Sequence, residues 1–482
     1  MGIISKLRAQ KSAVETGVGE KRVSAGRTEE IIRRCADAYA GVPDWAGTDG
    51  VRTVNFARTV CSETARLAML GAKVTLEGGA RAKFLGGQTA AVMAGMRRAV
   101  EYACANGTVI LKPNGHGVDT VLPGSFTVTD SDGGEITGVV FRDARRGADG
   151  KLYVRSEYHR FEGDEYVVSN RVVRDGRDSV PLASSPWAGL SRDVRLTGVE
   201  RPLFGVIRMP AANNVDVTSP LGMPLIADAL SELRDLDVAY SRFAKEISDS
   251  RRTVLLDSDR LLPFSGVRDA VRGFRAAADN MGLPDYVKMV YGTGAGDVYH
   301  EINPTLHTSE RLEGINALLF QIGNKCGFSG GYFTAGERRG VVTATEVEAD
   351  DRRTIEMIRD VRDCVQRALD GVIYALDKLC DLYGTAPAGD FEVIYDFGDI
   401  TYNPEEDRRR WFEYVEAGIV PAEYFLRRFE GTVLPEASQQ SFAGDRAVYR
   451  GTITDPQNSG QRMASPQERL PKASQQSDGE RK

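Results

Sequence analysis

Four carboxylates crowd one short stretch, Thr343-Ala-Thr-Glu346-Val-Glu348-Ala-Asp350-Asp351. Clustered acids can hold two divalent cations for nuclease-type hydrolysis, offset the positive end of a helix dipole, or form an acidic lining or subunit contact. The helical pattern that starts here favours the dipole role. Gly292-Thr-Gly-Ala-Gly296 has the look of a dinucleotide loop, but its spacing is not G-x-G-x-x-G and no clear βα unit precedes it, so a turn is expected. Gly150-Lys151 lacks the upstream glycine and is followed by Leu152, so no phosphate cradle is encoded. The histidines are His116, His159, His300 and His307; His300 and His307 flank Pro304, share no helix face, and make no zinc-type spacing. Ser–His–Asp chemistry depends on a proximity that spacing does not reveal, and no nucleophile elbow is expected. The sequence therefore predicts a chain with no catalytic residues, no cofactor and no metal.

Bulk properties agree with a structural role. The 482 residues are 41% hydrophobic, enough for roughly two to four domain-sized units. A net charge of −6 disfavours tight gripping of phosphates, which calls for a basic patch, but not loose passage of DNA. Cys35, Cys61, Cys104, Cys326, Cys364 and Cys380 form no C-x-x-C pair and read as buried thiols in a reducing compartment. No apolar run approaches the ~20 residues of a membrane span. The opening Met1-Gly-Ile-Ile-Ser-Lys6 has no signal core, and Lys6 breaks the myristoylation pattern.

The elements that must position any site follow from periodicity. Residues 1–26 read as a mobile arm. Helices are expected over 28–40, with Thr28 as N-cap, over about 53–70, and over about 83–105, ending at Asn106-Gly107. Period-two alternation then predicts strands at 108–112, 118–122, 126–129, 136–141, 152–161 and 165–172, with turns at 130–134 and 162–164. Polar alternate positions predict an antiparallel sheet with one wet face. Ser219 to Pro224 should open the next helix, whose stripe is Leu225, Ala229, Leu233, Leu236, Tyr240, Phe243 and Ile247. A strand at 251–256 leads into a mixed segment, with a helix near 266–279. Leu312, Ile315, Leu319 and Ile322 mark a helix over 308–325, and Gly327 sits where a C-cap glycine belongs. One long helix spans about 343–382, with Gly371 as a candidate kink. A strand at 391–395, a helix at about 404–417 and a short helix at 421–429 precede a Gln- and Ser-rich tail from 433, read as disordered.

Within that order, the block Gly327-Phe-Ser-Gly-Gly-Tyr-Phe-Thr-Ala-Gly-Glu-Arg-Arg-Gly-Val-Val-Thr-Ala-Thr-Glu346 resembles the tunnel loop of portal proteins of long-tailed (siphovirus-type) bacteriophages. The resemblance extends over about 28–430. Residues 106–126 look like the family's early strands, 132–136 and 158–172 continue its sheet, and 219–247 resemble its first stem helix, 251–305 its clip and 411–420 the segment that precedes its crown. It implies an α+β portal-type subunit: a flexible arm at 1–26, a helical and β wing at 27–215, a first stem helix at 216–250, a clip at 251–306, a second stem helix at 307–326, a tunnel loop at 327–342, a long radial helix with wing and crown helices at 343–432, and a disordered tail at 433–482. Tyr332, Phe333, Thr334, Glu337, Arg338 and Arg339 would then face DNA, and Leu233, Leu236, Tyr240, Phe243, Leu312, Ile315, Leu319 and Ile322 would pack the stem.

The resemblance further implies a homo-oligomeric ring of about twelve at one capsid vertex of the virion, assembled in the bacterial host cytoplasm. Its partners would be the terminase large subunit, a head-completion or adaptor protein, and the major capsid and scaffolding proteins. Double-stranded DNA would pass non-specifically, and no membrane is involved. Twelve copies at −6 give roughly −70, a field that repels phosphate from the channel wall. The alternatives are a metal-dependent DNA-processing enzyme using Glu346, Asp350 and Asp351, or another head–tail connector component.

Overall fold

The computed structural model describes residues 26–176, 178–250, 253–257, 287–290, 299–302, 306–334, 344–398, 404–416 and 425. The fold is mixed α+β, and the chain divides into two compact units, Met1–Tyr402 and Asn403–Lys482. The arm, the 266–279 helix, Glu337, Arg338, Arg339 and the tail lie outside the described residues.

Three helices open the first unit: α1 (Gly26–Tyr39), α2 (Phe56–Ala68) and α3 (Ala80–Asn106). Thr28 does not cap α1, which starts two residues earlier. Thr28, Ile32 and Cys35 fall on one stripe at helical spacing, so Thr28 turns into the core, where its Oγ1 has no partner among the described residues. α3 ends as expected at Gly107, whose φ of 76° suits a C-cap, and a Cβ there would come within 2.1 Å of the Gly222 carbonyl oxygen. Between α2 and α3 lies a strand that local pattern did not reveal, β1 (Lys73–Gly78).

Two sheets follow. β2 (Thr108–Pro113) and β3 (Val118–Val121) join β10 (Gly205–Arg208) in the order β10-β2-β3. The larger sheet runs β4 (Phe126–Asp132), β5 (Glu135–Arg146), β6 (Leu152–Glu162), β7 (Glu165–Arg174) and β8 (Asp178–Val180), with β9 (Asp193–Thr197) also on β7. Its first turn carries Gly133 and Gly134, with φ values of 55° and 86° that only a primed hairpin turn demands.

The sheet keeps a half-exposed face, with Ser156, Tyr158, Arg160 and Arg171, but its buried face is not wholly apolar. Val139 lies opposite His159, and Phe141 opposite Glu157, so these polar residues share the face of buried apolar ones. They survive there as a network. Lys112 of β2 donates to Glu157 Oε2, and Arg155 lies 2.9 Å from that same oxygen. His159 is 3.0 Å from Glu157 through Nε2 and 2.9 Å from the Tyr166 hydroxyl through Nδ1. Burial favours a neutral Glu157, but His159, Lys112 and Arg155 outweigh it and hold the carboxyl well below its usual range. Burial pulls His159 down, against the opposing pull of Glu157.

The Ser219 to Pro224 segment is not the start of a helix. Its backbone is committed elsewhere: Gly222 N donates to Thr108 Oγ1 at 2.8 Å and Leu225 N to the Cys104 carbonyl at 2.8 Å. Leu221, Met223 and Ile226 are buried by this strap, and α4 begins only at Leu230, running to Asp249. Then come β11 (Thr253–Asp257), β12 (Val287–Val290) and β13 (Tyr299–Ile302), a sheet ordered β12-β11-β13 in which β11 is parallel to β12 and antiparallel to β13. α5 (Thr308–Lys325) returns beside α4.

The long helix α6 (Ala344–Tyr383) has 40 residues and runs on through Gly371; at 1.5 Å per residue it is about 60 Å long. Gly371 is there for close approach rather than for a kink: its Cβ would sit 3.0 Å from Gly205 Cα and 3.0 Å from the Phe204 oxygen. β14 (Phe391–Asp396) closes the unit by pairing antiparallel with β1, Val74 opposite Tyr395 and Leu76 opposite Val393. One core takes side chains from across the first unit, among them Cys61, Met96, Val109, Ile207, Leu233, Ile322, Ile358 and Val365. No helix among the described residues is long and apolar enough to cross a membrane. In the second unit α7 (Pro404–Glu416) places Phe412 edge-on to Phe425, ring centres 5.9 Å apart.

Candidate functional site

α4 and α5 form an antiparallel pair tied at both ends. Lys325, closing α5, donates to Glu232 at 2.6 Å and to the Asp228 carbonyl at 3.0 Å near the start of α4. At the other end Arg311 meets Glu246 at 2.8 Å, and the His307 amide donates to the same carboxylate at 3.2 Å. The His307 amide and the Arg311 guanidinium hold the Glu246 carboxyl below its usual range. Charge thus fixes the register of the two helices, while apolar contact fixes their face.

That face changes character along its length. Leu233, Leu236 and Ile322 are buried in the body, and Phe243, Ile315 and Leu319 are half-buried. Tyr240, Ile247 and Leu312 are 44%, 49% and 44% exposed, so the end of the pair near Glu246 leaves large apolar side chains partly open to solvent; Phe320, 45% exposed, lies off this face. Two residues that sequence reasoning passed over seat the pair. Asp237 is buried in the α4 stripe and accepts bonds from Trp45 Nε1 and the Val54 amide, both at 2.8 Å. Ser241 Oγ accepts the Arg52 amide at 2.9 Å. An acid inside an apolar stripe was the available signal for Asp237.

Beyond α5 the glycine block turns sharply. Gly327 has φ 84°, and a Cβ on it would meet Met357 Cγ at 2.8 Å; the Phe328 amide reaches back to the Gly323 carbonyl at 2.9 Å. Residues 327–331 do carry the spacing G-x-S-x-G, contrary to the expectation that the chain has none. They make no nucleophile elbow, because they follow a helix rather than a strand. Ser329 is buried, and its Oγ lies 2.8 Å from the Thr354 hydroxyl on α6, with no histidine as its partner.

Tyr332, 40% exposed, and Phe333, both named from sequence among the DNA-facing residues, lie just before the undescribed segment. The Phe333 ring is half-buried, 4.7 Å from Phe328 and 5.1 Å from Phe56 of α2. The Tyr332 hydroxyl donates to Glu63 of α2 at 2.5 Å, and Glu63 also takes both arms of Arg66, at 2.6 and 2.8 Å. Burial, then the bond to Glu63, pushes the Tyr332 hydroxyl up to about 12. Thr334 Oγ1 closes a local turn on the Gly331 carbonyl at 2.9 Å.

Among the described residues no group of three or more His, Cys, Asp or Glu is placed to hold a metal. Glu346, Glu348, Asp350 and Asp351 fall in the first turns of α6, with their side chains outside the described set. All six cysteines are buried free thiols, and burial pushes those of Cys35 and Cys326 up to about 12.

α6 is held by a residue that no spacing rule flags. Arg362, buried mid-helix, donates to the carbonyls of Ala68 and Gly398 at 2.9 Å, Leu70 at 3.2 Å and Leu67 at 3.4 Å. It satisfies the orphan carbonyls at the end of α2 and ties α2 to the long helix.

No protein-family profile matches the chain, and no curated protein matches it. Among solved structures it is similar to a chain of the neck of an empty GTA particle computed with C6 symmetry, at 12% identity and a TM-score of 0.42. That similarity covers 88% of this chain and 99% of the other.

Proposed function

We propose that this chain is the subunit of a phage-type portal: a ring of about twelve copies at one capsid vertex, through which double-stranded DNA is packaged and released. The observation that carries the reading is the α4–α5 pair. It is tied by ion pairs at both ends, encloses a small three-stranded sheet in sequence, and leaves Tyr240, Ile247 and Leu312 44–49% exposed. Neighbouring copies would cover these residues. The glycine turn and the 40-residue α6 follow at once, in the order the sequence resemblance calls for. The three-stranded sheet would meet the head-completion or adaptor protein, and the ring would dock the terminase large subunit and seat against capsid and scaffolding proteins. The chain's net charge of −6 suits a conduit that does not retain DNA.

Electron microscopy of the purified full-length protein, with native mass on the same sample, tests this directly. Rings with a duplex-wide hole are the expected result. Removing 335–341 leaves the aromatic root in place and should spare the rings while impairing packaging. Monomers that cut DNA with Mg²⁺ would replace this reading with that of a metal-dependent nuclease.

A further inference from the structure

Between α3 and the β3 side of the β10-β2-β3 sheet runs an open groove of about 380 Å³. Met96, Ala99 and Leu111 give it a buried apolar floor, and Val118 and Thr120 of β3 form one wall. The other wall is one helical stripe, Gln88, Val92, Gly95 and Arg98. Among the described residues, neither Gln88 nor Arg98 has a hydrogen-bond or ion-pair partner. β3 is an edge strand. The Asn114 amide donates to the Gly117 carbonyl at 3.0 Å, and from that pair bonded and unbonded pairs alternate along the hairpin. Val118, opposite Pro113, and Thr120, opposite Leu111, then turn their N–H and C=O away from β2. Pro113, having no N–H, suits an unbonded pair. The open edge and the groove wall are thus the same two residues, and their outward groups have no partner among the described residues. Gly95 is a second sign. Glycine weakens a helix interior relative to alanine, yet no neighbour demands it there. A Cβ on Gly95 would meet only Arg98 Nη2, at 3.9 Å, and would otherwise stand in the groove.

We propose that this groove takes an extended acidic segment of a partner protein, added as a strand to β3. Val118 and Thr120 supply the backbone bonds, and every second side chain of the segment enters the apolar floor. From Gln88 to Arg98 the helix rises about 15 Å, the length of about four to five extended residues. Charge selects the class of partner. Arg98 is the one charged side chain among the described residues that line the groove, and it awaits a carboxylate. A strand also explains what a compact small molecule does not, the pairing of two outward-facing residues on an open edge with a groove beside them. The inference does not depend on ring formation.

Panning a displayed random heptapeptide library on the full-length protein tests it, with Gly95→Leu as the counter-selection. Leucine at 95 fills the groove while improving helix propensity, so thermal melting should show an intact fold. The expected winners alternate apolar residues and carry an acid at one end. A synthetic peptide of the winning sequence should bind at least about tenfold more weakly to Gly95→Leu and to Thr120→Pro. The proline removes only the outward N–H, and an edge strand tolerates it there. Arg98→Glu, at an exposed position, should turn the selection from acidic to basic peptides. No enrichment over Gly95→Leu overturns the proposal, as does a winning peptide that binds Thr120→Pro as well as wild type. Oligomers that bind no peptide and that Gly95→Leu disperses would also overturn it, making the occupant a second copy of this chain.

Discussion

Replacing Glu157 with glutamine should be among the most damaging conservative substitutions in the molecule. The change keeps shape and removes one charge. In the native chain that charge faces Lys112, Arg155 and His159 at once, and the side chains of Lys112, Arg155 and Glu157 are only 11–12% accessible. Taking away the acid leaves two buried cations with no counter-charge. Breaking a buried pair from one side costs about 3–5 kcal/mol, because the abandoned charge still lacks its water. Against a typical domain stability of about 5–15 kcal/mol, that is a large fraction. Urea unfolding followed by circular dichroism, at fixed protein concentration, reads it as a fall in midpoint. Adding Lys112→Met should recover part of the loss, with a coupling of at least about 1 kcal/mol between the two sites. A Glu157→Gln midpoint within about 1 kcal/mol of wild type would show that water or relaxation compensates the cations, and the network would not be what joins the two sheets.

Three further outcomes follow from the same geometry. Burial lowers the pKa of His159, so the unfolded chain takes up that proton first; stability should fall as pH drops below about 6.5, and His159→Gln should flatten that limb of a melting-temperature profile. Gly205→Ala puts a Cβ 2.1 Å from the Ala368 carbonyl oxygen and should cost about 1–3 kcal/mol, whereas Gly87→Ala, in open space on α3, should gain up to about 1 kcal/mol; thermal melts with the same sign for both would discard the close-approach argument. Leu312→Asp should abolish rings yet leave the melting of the body unchanged, because Leu312 is 44% exposed, while Leu319→Asp should disturb both, since Leu319 packs on the core; mass measurement and melting on each variant separate them.

Local signals carried much of the fold. The hairpins β4–β5 and β6–β7 were legible because alternation flanked Gly133-Gly134 and Gly163-Asp164. The long helix was legible because its apolar spacing of three and four persists from Ile355 to Leu379. What escaped is non-local or short. β1 has no turn signal linking it to β14, and β10 is only four residues whose partner lies on the far side of the larger sheet in sequence. Residues 219–224 carried a plausible helix start, but the Gly222 amide goes to Thr108 and the Leu225 amide to Cys104, which no local rule weighs. The same holds at the candidate site. The stem stripe could be read, but not which end of it would be covered. Tyr332 could be named from the sequence, but no local signal links it to Glu63, 269 residues earlier.

The pairing of β1 with β14 also constrains how the molecule is made. Lys73 must wait for Asp396, about 320 residues later, before its ribbon exists, and Ile358 and Val365 of the shared core arrive little sooner. At a synthesis rate of about 5–20 residues per second, that wait is roughly 16–65 s. During it the core around Cys35, Cys61 and Cys104 lacks the side chains that α6 supplies. A polysome making many copies side by side would then hold many incomplete cores in close quarters. Holdase chaperones that shield the first hundred residues until translation ends would raise the yield of subunits competent to assemble.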